Sequence, residues 1–405
     1  MSSPAPRTGP VGAEPGPAPK PGLVCVPIDG ETVVYDPGSD VLHRLDGPAS
    51  AVWERLDGTE TVHAIADHLA EGFGVPEKTA RTDVAGLAET LRERGLLDGS
   101  PAPEPARPTT EEAPIREAGP TVLPLASAAA PYRVGRYRAL EHTFEVATSD
   151  AAVRDYLAGV LTDLAMSDDG GGRPASRYEV VAHRARWIVR DGGEAVLATD
   201  WLDRALYALL WHINAETVRR SAPRYPVVHA AAATYGDVAV LLPAPPDAGK
   251  TTTVAGLVRA GLGYLSDEAV AIDPTSLRAL PYPKALSVDR GSWKVLSDLR
   301  PPHDHQIDGQ WQLPASSIRP GAVAAAAPVR FVLLPSYEPG AATRLEPAHR
   351  AEMLVCLADS TFHFQDAPRR NLTVLARVLE DAACYRLVLG DLDEAVRLVG
   401  ELVRG

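Results

Sequence analysis

The stretch "VAVLLPAPPDAGKTTTVAGLVRAGLGYLSDEAVAI" (238–272) decides how this chain is read. "DVAVLLP" (237–243) is short and continuously apolar, as a buried strand is. "TTTVAGLVRAGLG" (251–263) puts Val254, Leu257, Val258 and Leu262 on one face of a helix. Between them runs Ala244-Pro245-Pro246-Asp247-Ala248-Gly249-Lys250-Thr251. A strand, a Gly-Lys-Thr loop and a helix are the parts of a phosphate-binding loop. Such a loop works through backbone N–H groups that converge at a helix N-terminus. Pro245 and Pro246 carry no N–H, so the first half of this loop is poor in donors. The amides of Ala248, Gly249, Lys250, Thr251 and Thr252 remain. Lys250 suits the β- and γ-phosphates, and the Thr251 hydroxyl suits Mg²⁺. Ala244 stands where such loops carry their first glycine; before a proline its φ is expected to be negative. Asp247 is expected to point away from a polyphosphate. The expected nucleotide-binding set is therefore Ala244, Asp247, Ala248, Gly249, Lys250, Thr251 and Thr252. The expected cofactors are ATP, or another nucleoside triphosphate, and Mg²⁺.

Asp267 lies seventeen residues after Lys250 and is followed by Glu268. "GYLSDEAVAID" (263–273) reads as one strand following the loop's helix. A crossover would then bring the acidic pair beside the loop. Carboxylates there can hold Mg²⁺, with Thr251, or take a proton from a hydroxyl. On one strand the two would face opposite ways, so only one would reach both metal and nucleophile. Upstream, "YPVVHAAAATYGDVAVLLPAP" reads as a hairpin that would carry His229 toward the site. A lone histidine on an apolar strand is also a common core residue.

The chain has 405 residues, with 45% hydrophobic and 23% charged residues and a formal charge of -13. That is enough length for two or three domains. The negative charge opposes a nucleic-acid scaffold. No apolar run is long enough for a membrane span, and no signal peptide is evident. Cys25, Cys356 and Cys384 fit no zinc spacing and no disulfide framework, so a reducing cytoplasm is expected. Residues 1–21 and the linker 100–129 are rich in proline and are expected to be disordered or extended. "HDHQ" (303–306) reads as a polar loop.

Between these stretches, residues 22–99 suggest three strands and then three helices. "LVCVPI", "ETVVYD" and "DVLHRL" are separated by Asp29-Gly30 and Pro37-Gly38-Ser39 turns. Thr59 is a candidate cap for a second helix with Val62, Ile65, Ala66, Leu69 and Phe73 inward. Pro76 suits the first turn of a third, with Ala80, Val84, Leu87 and Leu91 inward. The expected unit is a small winged helix-turn-helix. Its third helix balances Lys78, Arg81, Arg92 and Arg94 against Glu77, Asp83, Glu89 and Glu93, which opposes DNA binding.

"LHRLDGPASAVWERLDG" (42–58) and "LRERGLLDG" (91–99) make this unit resemble the PqqD-like leader-peptide recognition element of ribosomal-peptide biosynthesis. The resemblance implies a precursor peptide as partner, its leader held by strand 41–45 and helix 77–94. Strand addition at an unpaired sheet edge would supply the contacts. Residues 130–405 resemble the HPr kinase/phosphorylase-related family, akin in fold to phosphoenolpyruvate carboxykinase. The matching elements are "VHAAAA" (228–233), "PAPPDAGKTTT" (243–253) and "YLSDEAV" (264–270), with weaker support from "RRNLTVLARVLEDAACYRLVLGDLDEA" (369–395). This resemblance implies Asp267 as general base toward a serine hydroxyl, supported by His229, with Lys250 on the phosphates. It leaves Lys284, in "LPYPKALSVDRGSW" (280–293), and Arg370 as candidate phosphate contacts. Related kinases form rings, so a homo-oligomer is an open expectation. The fold expected is α+β for residues 22–99 and α/β for the P-loop domain. The function expected is an ATP-dependent Ser/Thr kinase acting on a precursor peptide. The alternative is a nucleotide-gated peptide-binding chaperone with little or no phosphotransfer.

Overall fold

The computed structural model describes residues 16–100, 129–166, 174–301, 306–307 and 309–405, and its contacts divide the chain into 1–108 and 109–405. In the first unit, β1 (Val24–Ile28), β2 (Glu31–Asp36) and β3 (Val41–Leu45) form an antiparallel meander in the order β1-β2-β3. Asp29 and Gly30 both take positive φ in the first turn, as a two-residue hairpin requires. β3 pairs only with β2, which leaves its other edge without a strand partner among the described residues.

Three helices follow: α1 (Gly47–Trp53), α2 (Val62–Phe73) and α3 (Glu77–Glu93). Asp46 caps α1 by accepting from the Ala49 N–H. Thr61, not Thr59, caps α2 by accepting from Ala64 N–H; Thr59 instead donates to Asp57. Pro76 is the N-cap of α3 rather than part of its first turn. Val34, Trp53, Ile65, Val84 and Leu91 close one core. Phe73, expected inside, is exposed at the last residue of α2, where the helical stripe has run past the core. Residues 16–21 belong to this unit rather than to a loose tail. Lys20 N–H bonds Leu96 O, and its ammonium pairs with buried Asp36.

The second unit opens with β4 (Tyr132–Ala139), β5 (His142–Thr148), β6 (Ser176–His183), β7 (Arg186–Asp191) and β8 (Glu194–Thr199), paired in that order. α4 (Ala151–Val160) and α5 (Leu202–Ser221) pack their apolar stripes on this sheet through Val153, Leu157, Leu206 and Leu209.

A nine-stranded sheet follows. β9 (Val227–Tyr235) and β10 (Val238–Pro243) form a hairpin in which Pro243 lies opposite Ala230. α6 (Lys250–Arg259) leads from β10 to β11 (Gly263–Ser266), then β12 (Ala269–Ile272), β13 (Arg278–Leu280) and β14 (Leu286–Asp289). β10 and β11 both run antiparallel to β9, one at each side, so they are mutually parallel across it. The short strands β15 (Gln306–Ile307) and β16 (Gln310–Leu313) add to β14 in a separate small sheet. β17 (Ala327–Tyr337) pairs parallel with β10 and is joined to the rest by β13. The alanine run of β9 is fully buried, which lets α6 sit close over it and holds the 244–250 loop at the end of β10. No helix of the described residues is long and apolar enough to cross a membrane.

Ile65 is fully buried on α2. Ile65→Ala is expected to cost about 2–5 kcal/mol. Hydrogen exchange of the α2 amides should quicken accordingly, and unchanged protection would contradict the packing described.

Candidate functional site

α6 begins where Gly249, at φ 92, reverses the chain. Ala, with a Cβ, is disfavoured there, and the added atom would lie 3.0 Å from Leu389 Cδ1. Ala244 is buried, Pro245, Pro246 and Asp247 are exposed, and Lys250 is buried. Asp247 has φ 62, which turns the loop back toward the helix. The Lys250 ammonium donates to the carbonyls of Ala244 and Pro245 at 2.6 and 2.8 Å. Burial holds its pKa below the ordinary lysine value, against the pull of Glu268, Asp267 and Asp247.

Asp267 and Glu268 do not sit inside one strand. They occupy the break between β11 and β12, so the alternation expected of a continuous strand does not apply. Both carboxylates consequently meet the same ammonium: Lys284 Nζ is 3.0 Å from Asp267 Oδ1 and 3.9 Å from Glu268 Oε2. Lys284 is thus an ion-pair partner of the acids. It also donates to Ala285 O and Ser287 Oγ.

Asp267 is enclosed by donors. Tyr264 O–H reaches Oδ1 at 3.0 Å, Ser287 N–H reaches Oδ2 at 3.1 Å, and Thr251 O–H lies 3.4 Å from Oδ2. Glu268 is more open: its Oε1 lies 3.8 Å from His229 Nε2. Burial pushes the Glu268 carboxyl above the usual range. Burial alone would lower Lys284, but Asp267 and Glu268 outweigh it and raise its pKa. His229 reaches the cluster because its residue pairs with Ala269 across β9 and β12; its ring stacks on Phe362 at 5.5 Å. The Thr252 hydroxyl meets Ser292 Oγ at 2.5 Å, bringing the segment after β14 against the start of α6.

Thr251 offers a hard oxygen donor of the kind Mg²⁺ takes, and Asp267, its oxygens already engaged, stands behind it as the acceptor of the Thr251 hydroxyl. The space between the two acids is served by Lys284, which disfavours a metal clamped directly between Asp267 and Glu268. Among the described residues, no group of three His, Cys, Asp or Glu could hold a metal ion. His303, Asp304 and His305 of the expected polar loop lie outside the described residues.

Arg370 is not brought to this cluster. Its guanidinium donates to Ala222 O, Pro223 O and Asn371 Oδ1, closing the carbonyl end of α5. Tyr264 and Ser287 are the members that sequence reasoning missed. Tyr264 looks like an ordinary strand aromatic, and Ser287 acts through its backbone N–H. In the first unit, His43 on β3 was also missed: its buried Nε2 has no hydrogen-bond partner among the described residues.

Residues 31–97 match the family model of coenzyme PQQ synthesis protein D (PqqD). They cover β2, β3 and all three helices of the first unit. A solved structure described as "TbiB1 in complex with the TbiA(beta) leader peptide" is similar over 20% of this chain and 95% of that chain, at 23% identity and a TM-score of 0.20. Among curated proteins, none matches this chain.

Removing one partner of a buried ion pair costs about 3–5 kcal/mol, because a charge is stranded. Lys284→Met should therefore lower the melting temperature sharply, and adding Asp267→Asn should return part of the loss. Because the folded Lys284 pKa is raised, the pair's contribution is complete below about pH 10, the unfolded lysine value, and fades as pH rises through the folded one. Melts of the three proteins across alkaline pH measure both effects; equal losses for the single and double variants would contradict the pairing.

Proposed function

We propose that the chain is a nucleoside-triphosphate-dependent phosphotransferase acting on a Ser/Thr hydroxyl of a ribosomally made peptide. The leader of that peptide is recruited by residues 22–99. The observation that carries the second half is the PqqD match over residues 31–97, supported by the β3 edge that has no strand partner among the described residues. Strand addition there would bind backbone, with side chains read by the adjoining helix. The phosphotransfer half rests on the meeting of Lys250, Thr251, Asp267, Glu268, Lys284 and His229 at the N-terminus of α6.

In this reading the amides of Ala248–Thr252 receive the phosphates, with Lys250 released from its carbonyls to neutralise them. Thr251 would hold Mg²⁺, with Asp267 orienting the Thr251 hydroxyl from behind, and the ion would supply further charge neutralisation on the phosphate oxygens. Leader capture raises the local concentration of the acceptor, so the reaction site itself can bind it weakly.

One observation favours the chaperone alternative. Lys250 is bonded to two loop carbonyls, and the two prolines remove amides from the loop's first half. A loop biased this way would bind nucleotide without fast transfer.

The mass of a precursor incubated with the wild-type chain separates the readings, and Lys250→Ala tests the loop. In the wild-type chain MgATP should raise the melting temperature, and the mass of a bound precursor should increase by one phosphoryl group. The variant should lose both while still binding the leader. A wild-type protein that binds MgATP and leader but leaves the peptide mass unchanged supports the chaperone.

A further inference from the structure

We propose that Glu268, rather than Asp267, is the carboxylate that receives the acceptor hydroxyl and its proton, and that Asp267 is a positioning residue. The proposal rests on the phosphotransfer reading above.

An ionised carboxylate offers about four acceptor positions. Those of Asp267 face four donors: Lys284 and Tyr264 O–H at Oδ1, the Tyr264 oxygen lying 3.0 Å from Lys284 O as well, and Ser287 N–H and Thr251 O–H at Oδ2. An incoming hydroxyl would have to displace one of them. A proton delivered to Oδ1 would strip Lys284 of its 3.0 Å partner in a buried place, at the cost of stranding a charge. The Asp267 side chain is also closed to entry, at 1% exposure.

Glu268 differs on each count. Its side chain is 33% exposed. Among the described residues no group donates a hydrogen bond to its carboxylate; His229 Nε2 and Lys284 Nζ stand off at 3.8 and 3.9 Å. The break between β11 and β12 is what lets it face the same cluster as its neighbour. His229 and Lys284 flank its two oxygens and hold it in place without filling its acceptor positions.

The step balances without further reagents. The acceptor oxygen forms a bond to the γ-phosphorus. The bond from that phosphorus to the bridging oxygen breaks, and its electron pair leaves with the nucleoside diphosphate. The acceptor proton passes to the Glu268 carboxylate and from there to solvent. Asp267 keeps Thr251, Lys284 and the β14 backbone in register throughout.

The test uses the full chain with MgATP, water serving as the hydroxyl acceptor, and reads both hydrolysis and MgATP affinity. A general base contributes about 10²–10⁴-fold. Glu268→Gln should cut turnover by about a hundredfold or more with MgATP affinity within about threefold of wild type. Glu268→Asp should recover part of that turnover. Asp267→Asn should instead weaken MgATP affinity and shift the Mg²⁺ dependence. Wild-type-like turnover in Glu268→Gln overturns the assignment alone, as does an Asp267→Asn that binds normally and only loses turnover. A wild-type chain that does not bind MgATP, or binds it without any turnover, overturns the phosphotransfer reading together with this one.

Discussion

The carboxylate of Asp267 is the knot of the second unit. Four donors from three separate segments converge on it: Thr251 from α6, Tyr264 from β11, and Lys284 and Ser287 from the approach to β14 and its start. Buried charge at this depth is tolerable only when paired and hydrogen-bonded. Satisfying it ties the start of α6, the end of β11 and the start of β14 to one point. The positions of Lys250, Glu268 and His229 follow from that arrangement.

The sheet supplies the rest of the constraint. Ala231 and Ala233 leave little side-chain bulk between β9 and α6, so Val254, Leu257 and Val258 pack close on the sheet. Because β10 and β11 flank β9, the acidic pair returns to the same edge as the loop. The first unit has a separate core, and among the described residues one edge of its sheet, that of β3, has no strand partner.

Much of this was legible in the sequence. Apolar periodicity located β10, α6 and the helices of the first unit, and the Gly-Lys-Thr sequence located the loop. The strand–loop–helix order put Asp267 beside Lys250, and His229 was added by the family resemblance. What escaped was set by interactions that leave no pattern. "GYLSDEAVAI" reads as one strand, yet Asp267 breaks it because its buried charge needs donors from both sides. Lys284 looks like a surface lysine until the fold places two acids beside it. Arg370 looks like a phosphate ligand until helix α5 ends on it. Thr59 and Thr61 are equally good caps on paper, and only the path of the chain chooses Thr61.

In the proposed function the amides of Ala248–Thr252 clasp a polyphosphate next to Asp267. Backbone amide NMR of the deuterated full chain, titrated with MgADP, tests it most directly. Saturable shifts should concentrate at Ala248–Thr252, Asp267 and Ser287. Saturation without movement of those amides, or no binding at all, would contradict the account.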